Sequence, residues 1–441
     1  MRKLLLFILI SIPFIVNAQN HQLKGVIHSY NNQTIYLYSI YIDRVQLIDS
    51  TKTSAYGQFH FNLKKDLSKG LYQLGITEKD RLDIILNNEN IELSTHISDP
   101  FNKLTFKESK ENKIYLSYIR KRNYDQYKIE LLQPVISYYP MTDAFFPTLL
   151  MEFTNIQDSL NQYIDKTIKD NPHTFASILI GIDRRPALNP MHNQVEQKEF
   201  AKKHFFDGKD FSDTAILHTN VLTSSILSYL SLYQDKDSNK ALLEEEFIKA
   251  VDIILPVMRP NRKMYEFVID YLIGGFDQFG FTKVMTHIAS QSIVDESCEN
   301  EELKHRIEAL KKLAPGNKAP DIIIGNTKLS DINKKYTLVV FYASWCPHCN
   351  DLLPELKDFY NAKKQDLEVF TISIDSSKND YQNYIRKLNL KWINACDLKG
   401  WDTQSAIDYG VYVTPNLFLL DKNKVVIARP SGMPELIDLI K

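Results

Sequence analysis

Residues 336–356 read YTLVVFYASWCPHCNDLLPEL, an apolar run that breaks into two cysteines separated by two residues. Thr337 to Ala343 is uninterrupted, apolar and rich in β-branched residues, which suits a strand buried on both faces. Leu352, Leu353, Leu356 and Phe359 then fall at helical spacing. The cysteine pair therefore stands where a buried strand gives way to a helix. The chain spends only four cysteines over 441 residues, far too few for a disulfide scaffold.

Four chemistries compete for Cys346-Pro347-His348-Cys349. A c-type haem tether needs C-x-x-C-H, and residue 350 is Asn. A tetrahedral zinc site needs four ligands, usually from a second close pair. Cys298 and Cys396 each stand alone, so no metal and no cofactor are expected. A purely structural disulfide across so short a loop would add little stability, because the entropic gain grows with loop length. A dithiol redox pair remains. Its position suits that role: a sulfur at a helix N-terminus meets unpaired N–H groups and the positive end of the macrodipole, which favour the thiolate. Pro347 fits the first helical turn, having no N–H to waste. His348 is expected to offer an N–H or a positive charge to the Cys346 sulfur. A favoured thiolate makes the disulfide the better oxidant, and Cys349, one turn on and facing inward, would attack a mixed disulfide and release its partner.

Outward from this stretch the pattern stays α/β. Leu367 to Ile374 reads as a second buried strand and Asp380 to Leu388 as a helix. Asn416 to Leu420 and Lys424 to Ala428 read as a strand pair turning at Asp421-Lys422-Asn423, with a closing helix over Glu435 to Ile440. Such alternation predicts a mixed sheet covered by helices. Upstream, the polar stretch Lys311 to Pro320 marks a boundary. Between Phe101 and Leu313 apolar residues such as Ile114, Tyr115, Tyr118 and Ile119 follow a helical period, and several helices are expected, punctuated by Pro140, Pro172, Pro190, Pro256 and Pro260. The aromatic residues Tyr124, Tyr127, Tyr138, Tyr139, Phe145 and Phe146 are read as core of this region. From His21 to about Pro100 the period is two, as in Thr34-Ile35-Tyr36-Leu37-Tyr38, with turns at Asn31-Asn32, Lys69-Gly70 and Asn87-Asn88; this predicts a small antiparallel β-sandwich. The expected division is thus a β-sandwich domain over 19–100, an all-α region over 101–314 and an α/β domain over 315–441, about three domains, as the length suggests at roughly 150 residues each.

The N-terminus reads MRKLLLFILISIPFIVNAQ. Arg2 and Lys3 precede an apolar stretch from Leu4 to Val16 and a small-residue site at Ala18, the pattern of a secretory signal peptide over 1–18, cleaved after Ala18. The stretch falls short of the ~20 residues of a spanning helix, so no transmembrane anchor is expected after cleavage. A periplasmic or otherwise extracytoplasmic protein follows, in a compartment that permits disulfide chemistry. Lys plus Arg (53) nearly balance Asp plus Glu (54), so no basic field exists to hold nucleic acid.

Trp345-Cys346-Pro347-His348-Cys349 after a buried strand, with Thr414-Pro415 before the next, resembles the thioredoxin superfamily over residues 315 to 441. Gly316-Asn317-Lys318-Ala319-Pro320-Asp321, Pro354 and the extra helix and strand between Asp375 and Trp401 are similar to its TlpA-like or ResA-like extracytoplasmic branch. The N-terminal segment resembles, through Asp49-Ser50, Gly57-x-Phe59 and Gly70-Leu71-Tyr72, the β-domain that precedes thioredoxin-like domains in secreted proteins of Bacteroidetes-type bacteria. The resemblance implies a thiol:disulfide oxidoreductase with a redox-active Cys346–Cys349 disulfide, in which Cys346 is the nucleophile and Cys349 the resolving thiol. It further implies a cis Pro415 beside the pair, with Thr414 offering backbone hydrogen bonds to substrate and Trp345 flanking it. The implied partners are client proteins with cysteines and a membrane or periplasmic electron donor or acceptor.

Two positions depart from that pattern. Val340 stands where thioredoxins carry a buried acid, and Leu352 where TlpA-like proteins carry Glu, which leaves water, Asp351 or Glu355 to relay a proton to Cys349. The Pro-His dipeptide also occurs in strongly oxidising DsbA-like proteins, so the direction of electron flow stays open. Ala343 replaces the Thr of a peroxiredoxin-like T-x-x-C, which argues against peroxidase chemistry. Cys298 and Cys396 read either as buried free thiols or as a disulfide with each other. The rival class is a cell-envelope binding protein that uses the thioredoxin-like part as a scaffold.

Overall fold

The computed structural model describes residues 21–77, 79–235, 238–292 and 300–440. The expected signal segment and Cys298 lie outside the described residues. The chain divides into two compact units, one ending at Ser228 and one beginning at Tyr229.

The first unit opens with strands β1 (Gln22–His28), β2 (Thr34–Tyr41), β3 (Arg44–Lys52), β4 (Gln58–Asn62), β5 (Gly70–Gly75), β6 (Arg81–Leu86), β7 (Ile91–His96) and β8 (Thr105–Glu108). They form two four-stranded sheets, β4-β1-β7-β8 and β3-β2-β5-β6. The period of two explains the burial: in β4 Phe59 and Phe61 point inward while their neighbours are exposed, and in β7 Ile91 and Leu93 are buried while Glu92 and Ser94 are half-buried. One ladder, β1 against β7, is parallel; the others in these sheets are antiparallel. Helices α1 (Lys110–Tyr138), α2 (Phe146–Asp170), α3 (Phe175–Asp183) and α4 (Gln194–His204) follow, and α5 (Val221–Ser231) carries the chain past Ser228.

A buried polar joint ties these helices to the sandwich. Asn112 makes both backbone hydrogen bonds of Ile85, accepting from its N–H and donating to its carbonyl, each at 2.8 Å. Glu111, 5% exposed, accepts the N–H groups of Phe175 at 3.0 Å and Ala176 at 2.8 Å, which are among the unpaired donors at the start of α3. The expectation that the aromatic residues of this region are core holds for Phe146, 5% exposed, and fails for Tyr124, Tyr127, Tyr138 and Phe145, exposed by 66, 60, 89 and 49%. α1 packs through other positions, such as Tyr118 and Ile136, so these tyrosines ride its solvent face.

The second unit begins with α6 (Lys240–Met258), α7 (Arg262–Gln278), α8 (Thr282–Gln291) and α9 (Glu301–Lys312). Pro256, expected between helices, sits inside α6, two residues before its end, where it forgoes the bond to the carbonyl four residues back. Next come β9 (Ile323–Ile324), β10 (Thr327–Lys328), β11 (Tyr336–Tyr342), α10 (Pro347–Lys363), β12 (Leu367–Ser373), α11 (Lys378–Leu388), β13 (Ile393–Ala395), α12 (Gln404–Asp408), β14 (Asn416–Asp421), β15 (Val426–Ala428) and α13 (Met433–Leu439). The main sheet runs β13-β12-β11-β14-β15, parallel on the β12 and β13 side and antiparallel towards β14 and β15. Leu338 to Tyr342 of the central strand are fully buried, as their unbroken apolar run requires. The polar stretch ahead of β9 adds to the far edge: Gly316 N–H and Val426 N–H bond across at 2.9 and 2.8 Å to Val426 and Asn317 carbonyls.

Candidate functional site

The site lies where β11 ends and α10 begins. Cys346 is the N-cap of α10, in extended conformation, with Pro347 in the first turn. Its sulfur accepts the Cys349 N–H at 3.3 Å and donates to the Thr414 carbonyl at 3.2 Å. The Thr414–Pro415 bond is cis. Cys346 and Cys349 are free thiols, 4% and 0% exposed respectively. Burial, and next the hydrogen bond with Cys346, push the Cys349 thiol well above the ordinary cysteine range. Cys349 is thus held as a neutral thiol behind a sulfur that faces outward at one edge.

Trp345 is 59% exposed and meets Trp401, 42% exposed, edge to face at 6.4 Å. Pro347 and His348 are exposed. The expected contact from His348 to the sulfur is not made: among the described residues it is the Cys349 N–H that reaches Cys346, because the imidazole leaves the helix on its solvent side. Asp351 and Glu355 are also exposed, on the face of α10 away from the buried Cys349, Leu352 and Leu353. Val340 and Leu352 are buried.

Sequence reasoning missed the acid nearest this loop. Asp375, 1% exposed, follows β12 and its carboxylate accepts from Ser344 Oγ at 2.7 Å and Ser373 Oγ at 2.6 Å. It also accepts the Ser344 N–H, fixing the backbone two residues before Cys346. Its own carbonyl accepts from Cys396 Sγ at 3.4 Å. Cys396 is a free, half-buried thiol. The signal was present as Ser373-Ile374-Asp375 at the end of a strand, but a carboxylate there reads equally well as solvated. Behind the pair, Tyr342 and Tyr384 stack at 5.7 Å with buried hydroxyls that have no partner among the described residues. Burial pushes the Tyr384 phenol upward, and the Cys349 and Cys346 sulfurs add to the shift.

A buried mixed sheet, a C-x-x-C pair at a helix start and a cis proline facing it leave one fold to consider. Residues 310–429 match the AhpC/TSA family. The C-terminal domain is thioredoxin-like. Residues 21–115 match a domain of unknown function, DUF4369. Among curated proteins, the thiol-disulfide oxidoreductase ResA of Bacillus cereus is 23% identical over 181 residues, covering 40% of this chain and 91% of ResA. ResA of Bacillus thuringiensis is 26% identical over 128 residues, covering 28% of this chain and 72% of ResA. Among solved structures, a domain of a possible thiol-disulfide isomerase from Cytophaga hutchinsonii is 32% identical, covering 30% of this chain and 92% of that domain, with a TM-score of 0.27. With the family match and the ResA relatives, the thioredoxin-like domain makes the chain an oxidoreductase of thioredoxin type. No helix of the described residues is long and apolar enough to cross a membrane, and no cluster of metal-ligating side chains is present among them.

Proposed function

We propose that the chain is an extracytoplasmic thiol:disulfide oxidoreductase that exchanges a Cys346–Cys349 pair with protein cysteines. The observation that carries this reading is the Cys346 sulfur, held at the start of α10 by the Cys349 N–H and facing the Thr414 carbonyl. In the reducing direction the Cys346 thiolate attacks one sulfur of a client disulfide; the client S–S bond breaks and its other sulfur leaves as a thiolate. Cys349 then loses its proton to solvent or to the departing thiolate and attacks Cys346. The mixed disulfide breaks, the second client thiol leaves, and the two electrons of the dithiol now sit on the client. The oxidising direction runs the same steps backwards. Trp345, Thr414 and Pro415 flank the sulfur and are assigned to client binding, with Pro347 and His348 at the helix start. The MRKLLLFILI opening supports secretion, and the donor or acceptor would be a membrane or periplasmic dithiol. The proposed domain limits are 19–100, 101–314 and 315–441.

Replacing Cys349 with Ala should trap a mixed disulfide through Cys346 that dithiothreitol releases. Absence of any thiol-sensitive adduct, together with failure of the oxidised wild type to accept electrons from a dithiol, would refute the reading. A binding function is favoured by one observation in the first unit, a cavity of about 290 Å³ lined by Arg81, Asp83, Tyr115, Arg122, Asp183 and Ser225. In that second reading the cavity does the work and exchange is incidental; a chain lacking both cysteines would then keep its full activity in the cell.

A further inference from the structure

The loop that carries Thr414 and the cis Pro415 is gripped on both sides, directly by α9 and by Arg429 beyond β15, which the helical layer holds through Asp277. On one side, the Arg306 guanidinium of α9 lies 5.0 Å from the centre of the Tyr412 ring, and the Tyr412 hydroxyl donates to the Glu302 carbonyl at 3.4 Å. On the other, Arg429 Nη2 donates to Asn416 Oδ1 at 3.1 Å. The two arginines meet through one carboxylate: Asp277, at the end of α7, takes Arg429 Nη2 at 3.3 Å and Arg306 Nη2 at 3.7 Å. Arg429 and Asp277 are each 7% exposed and Arg306 is 11% exposed, so the cluster is largely cut off from water and its charges are weakly screened.

Close backbone approach makes this contact tight as well as polar. A Cβ at Gly410, which has φ +59°, would come within 2.8 Å of the Ala309 Cβ of α9. A Cβ at Gly280, φ +65°, would come within 2.3 Å of the Ser431 Cβ. Helices and redox domain thus pack with a bare glycine against a small side chain at two points, Gly410 on Ala309 and Gly280 on Ser431.

Resting on the oxidoreductase reading, we infer that Asp277, Arg306 and Arg429 are positioning residues for the redox pair: they brace Tyr412 and Asn416, and through them set the Thr414 carbonyl against the Cys346 sulfur. The α6–α9 layer is then part of the redox centre. Arg306 Nη1 also takes the more exposed Asp270 at 3.2 Å, but among the described residues only Asp277 reaches both guanidiniums; with its charge removed, Arg306 keeps Asp270 while Arg429 loses its carboxylate, and the groups the two arginines grip are drawn apart. The dithiol loses or changes its Thr414 contact, while the disulfide, with no S–H to donate, loses less. The equilibrium between the two forms must therefore move.

The test uses the full chain with Asp277→Asn and the milder Arg306→Lys. The Cys346–Cys349 equilibrium constant against glutathione should change at least threefold in D277N and in the same direction, by less, in R306K, with the rate of Cys346 alkylation by iodoacetamide changing alongside. Variants that fold, melt earlier and keep the wild-type equilibrium constant and alkylation rate would make the cluster a structural joint only and overturn the brace. Should D277N fail to fold, R306K decides. The wild type provides an independent arm: amide hydrogen exchange at the end of α7 and in α9 should differ between the dithiol and disulfide forms, and identical protection would also overturn the brace. A wild type that exchanges no electrons with glutathione or any dithiol fails the oxidoreductase reading itself, whereas a competent wild type with unaltered variants fails the brace alone.

Discussion

Each unit joins a helical layer to a sheet through a buried acid, and the two acids differ in what they hold. Glu111 meets neutral groups: the Phe175 and Ala176 amides and the Asn87 side chain at 2.7 Å. Its joint is completed by Asn112, which pairs with Ile85 as a neighbouring strand would. Asp277 instead meets two guanidiniums, each of which reaches a residue beside the cis proline. Backbone partners are fixed by the helices and strands that carry them, so the first joint can only weld. Long cationic side chains can shift, so the second can transmit a displacement to the groups at its far ends. A carboxylate on amides is a strut; a carboxylate between arginines is a coupling.

That contrast can be tested from the most drastic change downward. Cys346→Ser should abolish disulfide exchange, by a factor of about a thousand or more in rate, and leave thermal unfolding unchanged; a variant that still exchanges at a tenth of wild type would move the chemistry elsewhere. Glu111→Ala should cost about 3 kcal/mol, because buried amide donors lose a charged acceptor. Denaturation should detect it in the first unit only, with the glutathione equilibrium untouched; a shift of that equilibrium would erase the distinction between the two joints. Asn112→Ala should cost about 2 kcal/mol for two backbone groups left unpaired, again without redox effect. The smallest effect is a pH dependence. Since burial raises the Cys349 thiol, its neutral form favours the folded dithiol chain; this contribution is whole below the unfolded value of about 8.5 and is lost as pH rises beyond it. The urea midpoint of the dithiol form should therefore fall relative to that of the disulfide form between about pH 8 and pH 10, and parallel midpoints would contradict the burial of Cys349.

The redox pair was legible because its signal is local: an apolar strand, two cysteines at helical spacing and a proline in the first turn sit within 21 consecutive residues. The sandwich was legible from its period of two. What stayed hidden depends on distant parts of the chain. Asp277 and Arg429 are 152 positions apart, and nothing in either neighbourhood distinguishes them from surface charges. Asp375 was passed over for the same reason, since only the fold brings Ser344 over it. The α1 tyrosines misled in the other direction: helical spacing of aromatic residues says they share a face, not that anything covers it.

Cys346 meets solvent over 4% of its surface while Cys349 meets none. A sulfur reachable through so narrow an opening imposes a steric toll on whatever approaches it. Cystines clamped inside rigid globules cannot bend far enough to enter, whereas those on slack or incompletely folded segments can. On the exchange reading proposed above, client choice would then be decided less by side-chain recognition than by how slack the polypeptide around the target bond is.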